Sequence, residues 1–180
     1  MFFSRPSRPD RIRLAEGGDR IQGIQNKGGY RGLKAITIHQ PWASLIAIEA
    51  KRFETRGWKT NYRGPIAIHA GKQKDVDTCL LLAGENVKLW REITPLQFGS
   101  VIAIAELTGC YEIHIDHTGD AVLLSGNVPV HWIGKGSNEF KFGWYGHGRY
   151  AWELTNVRQI EHIPAKGQQG LWNWNHPIRE

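Results

Sequence analysis

The segment "GSVIAIAELTGCYEIHI", residues 99–115, limits the fold more than any other part of the chain. Residues 101–105 are apolar at every position, so a strand here has no face to turn toward water. Such a strand has to run through the centre of a sheet that is covered on both sides. The chain has 180 residues, of which 41% are apolar and 22% charged. That is enough to build one sizeable core, and a single domain around this strand is the expectation.

Neighbouring segments supply the cover. "LKAITIHQ" alternates and is β-branched, which predicts a strand over 34–40. Pro41 follows, where the first turn of a helix tolerates it. Trp42, Leu45, Ile46 and Glu49 then recur at helical spacing, so "PWASLIAIEA" reads as a short helix lying on the sheet. Residues 51–58 read as extended, "NYRG" as a turn, and "PIAIHA" as a strand with Ile66 and Ile68 on one face and Ala67 and His69 on the other. Residues 75–92 read as helix in two pieces divided at Gly84; 119–148 is rich in glycine and aromatics without a clear period, and within it "FGWYGHG" reads as a long loop. "RYAWELTNVRQIEHI" reads as a strand pair or one bent strand, and "KGQQGLWNW" as an irregular tail. Several strands with two or three helices predict an α+β domain that can close into a small barrel. Residues 1–32 show no apolar period and read as a flexible basic arm, which leaves 33–180 as the domain.

The net charge of +6 is uneven. Residues 1–34 hold eight Lys/Arg against three Asp/Glu, and residues 51–74 hold seven against one. Concentrated positive charge attracts anions, although a solvated basic face without a partner has the same composition. No apolar run reaches the roughly 18 to 20 residues of a membrane span, and no leader-like apolar stretch follows the basic start. A soluble, cytoplasmic protein is expected. Cys79 and Cys110 are too few for a disulfide framework or a metal knuckle and read as buried thiols.

Within the second basic run, "KRFETRGWKTNYRG", Glu54 is the only acid. The two-residue period of a strand puts Arg52, Glu54, Arg56 and Trp58 on one face, with Phe53 and Thr55 on the other. A carboxylate between two guanidinium groups orients them and accepts hydrogen bonds from an amine or hydroxyl of a ligand. The competing reading is a surface ladder of ion pairs worth little. Trp42, Trp58, Tyr62, Trp144, Tyr145, Trp172 and Trp174 add aromatic faces, on which bases stack for about 1 to 3 kcal/mol each, though most tryptophans serve cores.

The run "ITIHQPWASLIAIEAKRFETRGWKTNYRGPIAIHAGK" resembles the signature of the ASCH (activating signal cointegrator homology) domain, in the PUA-like superfamily: a strand, "HQPWASLI", K-x-x-E-x-R at Lys51, Glu54 and Arg56, a Trp, "RG", and a strand ending "IHA". "GSVIAIAEL" and "RYAWELTNV…KGQQGLWNW" resemble its later strands more loosely. The resemblance implies a PUA-like small β-barrel with flanking helices and a nucleic-acid-binding cleft near the first helix and the K-x-x-E-x-R strand. Ala50 stands where the motif often has glycine. Small relatives that deacetylate modified cytidine resemble this chain at the lysine but carry Thr where it has Glu54, which weighs against that reaction. Ribonuclease activity is also associated with the family.

The expected function is nucleic-acid binding, to RNA, DNA or a modified nucleoside. Lys51, Arg56, Lys59, Arg63 and Lys72 are assigned to the backbone, and Gln40, Trp42, Glu54 and Trp58 to a base or nucleoside. The alternative is a hydrolase acting on acetylated cytidine or RNA, with Lys51 as nucleophile or base and Glu54 or Glu106 as its proton partner. A third reading is a domain that only docks a protein. Glu106, on the apolar central strand, is the acid expected to be buried, either paired with Lys51 or Arg56 or capping an internal network. His39 and His69 are expected to approach one cleft. "HIDH" at 114–117 lacks a third ligand at a recognisable spacing, and neither metal nor cofactor is called for.

Overall fold

The computed structural model describes residues 30–176, so the predicted basic arm lies almost entirely outside the described residues. In chain order the elements are β1 (Tyr30–Gln40), α1 (Trp42–Ala47), β2 (Phe53–Arg56), β3 (Gly64–Lys74), α2 (Val76–Glu85), α3 (Val87–Ile93), β4 (Ser100–Ile115), β5 (Ala121–Ser125), β6 (Val128–Ile133), α4 (Asn138–Lys141), β7 (Tyr150–Pro164) and β8 (Leu171–His176). Hydrogen bonding orders the sheet β2-β7-β4-β3-β1-β8, with the β5–β6 hairpin attached to the far half of β4. β1 runs parallel to β3, with Ile36 opposite Ile68, and the other pairs are antiparallel.

β4 occupies the interior position that its composition demands. Val101, Ile102, Ala103, Ile104 and Ala105 are all buried. The two faces of the strand feed two clusters: Ile102 and Ala105 join Ile36, Ile38, Ile66, Ile68 and Trp152, while Val101 and Ile104 join Leu33, Ala67, Trp172 and Trp174. Each fully buried aliphatic side chain contributes about 1.5 to 3 kcal/mol, so the double-sided strand anchors the whole sheet.

α1 has only six residues, yet Ala43 to Ala47 are all buried. Ala43 and Ile46 pack on the sheet, and Leu45 faces Leu82 of α2, Ile93 of α3 and Phe142. The helix is held by layers on both sides, because so short a helix is marginal alone. Asp75 caps α2 by accepting from the Thr78 amide at 2.8 Å. The break between α2 and α3 falls at Asn86, two residues beyond the expected Gly84.

Two segments hold more structure than expected. Residues 119–148, which show no clear period, contain a hairpin formed by "AVLLS" and "VPVHWI", whose buried Ala121 and Leu123 pack on Phe53, Ile113 and Tyr145, while "FGWYGHG" lies in a loop as expected. The tail "KGQQGLWNW" is not irregular throughout, because β8 pairs with β1 and buries Trp172 and Trp174. "YAWELTNVRQIEHIP" is one strand, the second of the two expected forms, and its register shifts against β4 let it bend. The fold is α+β, and its sheet is open: β2 and β8 stand at the two ends of the strand order without pairing. Arg56 of β2 nevertheless donates to the Thr37 carbonyl of β1 at 2.8 Å, beyond the point where β8 stops pairing at Ile36. The sheet therefore curls far enough for one side chain to cross the gap.

Candidate nucleic-acid interface

Two concavities lie on either side of that arginine. The first is a crevice of about 80 Å³ formed where the 142–149 segment folds over β2 and α1, with Trp42, Lys51, Glu54, Thr55, Trp144 and Arg149 among its walls. The second is a cavity of about 930 Å³ between the ends of β1 and β3 and the segment joining β7 to β8, and Thr37, His39, His69 and Lys72 lie on its wall.

In the crevice, Glu139 of α4 is the hub. Its carboxylate accepts from the Arg52 amide at 2.7 Å, the Phe53 amide at 3.3 Å, the Tyr145 hydroxyl at 2.8 Å and the Lys51 ammonium at 3.3 Å. Lys51 is only 1% exposed, and its Nζ lies 5.8 Å from the centre of the Tyr145 ring. Burial, then the Glu139 charge, raises the Tyr145 phenol well above its usual value and keeps it a hydrogen-bond donor. Gly143 makes room for this arrangement: a Cβ there would sit 2.4 Å from the Tyr145 ring and 3.1 Å from Lys51 Nζ.

Glu54 is 7% exposed and pairs with Arg56, whose Nε lies 2.9 Å from Oε1. This bears out the shared face of Glu54 and Arg56. The expected second arginine departs from it, since Arg52 binds Glu153 of β7. Glu153 also accepts from Tyr111 at 2.9 Å and Thr108 at 3.1 Å. Burial alone would raise the Glu153 carboxyl, but the bonds from Tyr111 and Arg52 outweigh it and hold the group below its usual value.

Over the crevice mouth stands Trp144, 71% exposed, with the Arg149 guanidinium 4.2 Å from its ring centre. Arg149 also donates to the carbonyls of Trp144 at 3.0 Å and Thr55 at 3.3 Å, and the Trp144 amide donates to Thr55 Oγ1 at 3.0 Å. Trp144 was one of the aromatic faces named from the sequence but was not assigned to the site, and Arg149 was not singled out. The signal was the "FGWYGHGR" run itself, where three aromatics among glycines precede an arginine.

The remaining expected site residues scatter. Trp42 lines the crevice, stacks against His39 with ring centres 6.4 Å apart, and carries a buried Nε1 without a partner. Trp58 is 38% exposed and meets Trp152 edge-on at 4.5 Å. Lys59 and Arg63 are exposed on the loop before β3, where Arg63 donates to the carbonyls of Thr60 and Tyr62. Lys72 is exposed on the cavity side. Gln40 is fully buried; its amide donates to the Gln97 carbonyl at 2.7 Å and accepts from the Ser44 amide at 3.1 Å, fixing α1 to the loop before β4. Glu106 is half-buried and has no ion-pair partner among the described residues, so the expected pairing with Lys51 or Arg56 is not made. Its charge instead acts on Tyr62, whose hydroxyl burial and then Glu106 push up. In "HIDH", Asp116 accepts from Thr118 and Asp120, His114 meets Glu112, and no metal-binding cluster occurs among the described residues.

The chain is 42% identical over 55 residues to human activating signal cointegrator 1, covering 31% of this chain and 10% of that protein. It is 32% identical over 99 residues to the mouse protein of the same name, covering 51% of this chain and 16% of that relative. The aligned regions thus span only a tenth to a sixth of the length of these curated relatives. The family model described as the ASCH domain matches residues 36–164, from the middle of β1 to the end of β7. The chain belongs to the ASCH domain family.

Proposed function

We propose that this domain binds single-stranded nucleic acid across the crevice mouth, with a base stacked on Trp144 and the backbone held by Arg149, Arg56 and Lys59. The observation that carries this reading is the pairing of a solvent-exposed indole with a guanidinium directly beside the Glu54–Arg56 pair. An exposed aromatic face takes any base, and neighbouring cations neutralise phosphate. The crevice is too small for a nucleoside, since sites for small ligands run to about 300 Å³ and more. Glu54 therefore reads one edge of the stacked base by accepting from an amine. Lys51 supports this surface from beneath, and Gln40 and Trp42 support it through α1.

The hydrolase reading requires Lys51 to offer a neutral, reachable amine. Its burial and its ion pair with Glu139 argue against that role. The closed barrel typical of the superfamily and a cytoplasmic location belong to the same proposal; the bond from Arg56 to Thr37 favours closure, and no helix among the described residues is long and apolar enough to cross a membrane. Residues 1–32 add sequence-independent affinity through their charge.

Fluorescence anisotropy with labelled RNA and DNA strands of about ten nucleotides, within the usual site sizes for such grooves, tests the reading. Trp144→Ala is expected to weaken binding by about 1 to 3 kcal/mol without lowering the melting temperature. Equal affinity in the variant, or no binding by the unaltered chain at low salt, overturns it.

A further inference from the structure

The larger cavity plays no part in the stacking surface, yet it has the features of a built site. Its volume of about 930 Å³ lies within the range of small-molecule sites. No Asp or Glu lines it, whereas Lys72, Lys166 and three glutamines do. Neither lysine has an ion-pair partner among the described residues. Arg56 separates this cavity from the crevice, since it pairs with Glu54 on one side and bonds Thr37 on the other.

His69 forms the cavity's inner wall and is 1% exposed. Its Nε2 lies 3.0 Å from the Ala165 carbonyl oxygen, which can only accept, so Nε2 carries the hydrogen. Its Nδ1 is buried and has no partner. Burial lowers the imidazole's pKa, outweighing the opposing effect of the Ala165 carbonyl, so Nδ1 presents a bare lone pair. An unsatisfied buried acceptor is destabilising, and a hydrogen-bond donor relieves that cost. Gly167 crosses directly over this histidine: a Cβ there would lie 2.8 Å from Nδ1 and 2.9 Å from Thr37 Oγ1. Only glycine lets the segment lie so close.

We infer that this cavity is a second subsite that takes one whole nucleotide, with the N–H edge of the base toward His69 and the phosphate on Lys72 and Lys166. A carboxylate-free wall with two unpaired cations selects an anion, and the glutamines supply both donors and acceptors to a heterocycle and its sugar. His39, stacked on Trp42 at the rim, leads from this cavity toward the crevice. The inference rests on the nucleic-acid reading above and deepens it: bases stack at Trp144 without selection, and one nucleotide is read in the cavity.

Isothermal titration of the full chain with AMP, CMP, GMP and UMP, and separately with inorganic phosphate, tests this inference. The expected result is saturable 1:1 binding of at least one nucleotide, tighter than phosphate by at least about tenfold, the gain from one added well-placed hydrogen bond. The double variant Lys72→Ala/Lys166→Ala, altered only at exposed side chains, should weaken that binding at least about tenfold. Gly167→Ala should weaken it too. Phosphate binding as tightly as every nucleotide, or a double variant that binds nucleotide normally, overturns the inference. Oligonucleotide binding that is sensitive to Trp144 while no mononucleotide binds overturns the inference and leaves the proposed function standing.

Discussion

The crevice, on α1 and β2, and the cavity, on the ends of β1 and β3, treat charge in opposite ways. In the crevice every buried charge has a counterpart: Lys51 has Glu139, Glu54 has Arg56, and next to it Arg52 has Glu153. In the cavity Lys72 and Lys166 have none, and the buried polar atom His69 Nδ1 is unsatisfied. Paired charges rigidify a surface, while unpaired ones await a ligand. The basic run in the sequence therefore divides into cations held in ion pairs, such as Lys51 and Arg56, and cations without one, such as Lys72, and net charge alone does not separate them.

The sharpest way to break this contrast is Glu139→Ala. It strands Lys51 at 1% exposure and removes the acceptor of two backbone amides and the Tyr145 hydroxyl, so stability should fall by about 3 to 5 kcal/mol in urea denaturation. Lys166→Ala, at an exposed side chain on the other side, should stay within about 0.5 kcal/mol of the parent chain. Comparable losses in both would show that the cavity lysine is also structural.

A smaller effect separates selection from attraction. Glu54→Gln keeps the shape of the side chain and removes its charge, so preference among homopolymeric strands should change by about 1 to 3 kcal/mol at the base concerned. Phosphate attraction should rise slightly, because an acid leaves a basic surface. A uniform gain for every strand would reduce Glu54 to a partner of Arg56 alone.

The smallest effects are expected in acid, where each region contributes its own slope. His69 has a lowered pKa in the fold, so the unfolded chain binds the proton first and stability falls as pH drops below the ordinary value of 6.5. Glu153 is also lowered, so its stabilisation is present above the ordinary value of 4.5 and is lost as pH falls through the folded value. In melting temperature against pH, His69→Phe should flatten the upper part of the acid decline and Glu153→Gln the lower part. A decline unchanged by either variant would assign it to other carboxylates.

Much of the frame was legible because local pattern reports local facing. β1, α1 and β2 follow from alternation, Pro41 and helical spacing, and the shared face of Glu54 and Arg56 follows from a period of two. The β5–β6 hairpin escaped notice because Val128 and Trp132 are exposed while Ala121 and Leu123 are buried, so apolarity there does not follow one face. β8 escaped because glycine and glutamine precede its two buried tryptophans and mask a short strand.

The sequence by itself determined that β4 is central, that Glu54 and Arg56 stand at strand spacing, and that the chain has the ASCH signature. These depend on neighbours within a few residues. Only the tertiary structure decided which charges are spent. Glu139 reaches Lys51 from 88 positions away, and Ala165 fixes His69 from 96. Such meetings depend on strand order and on where a segment such as 165–170 crosses the sheet. Composition holds no record of that crossing, because a buried lysine and an exposed one differ only in what the rest of the chain brings beside them.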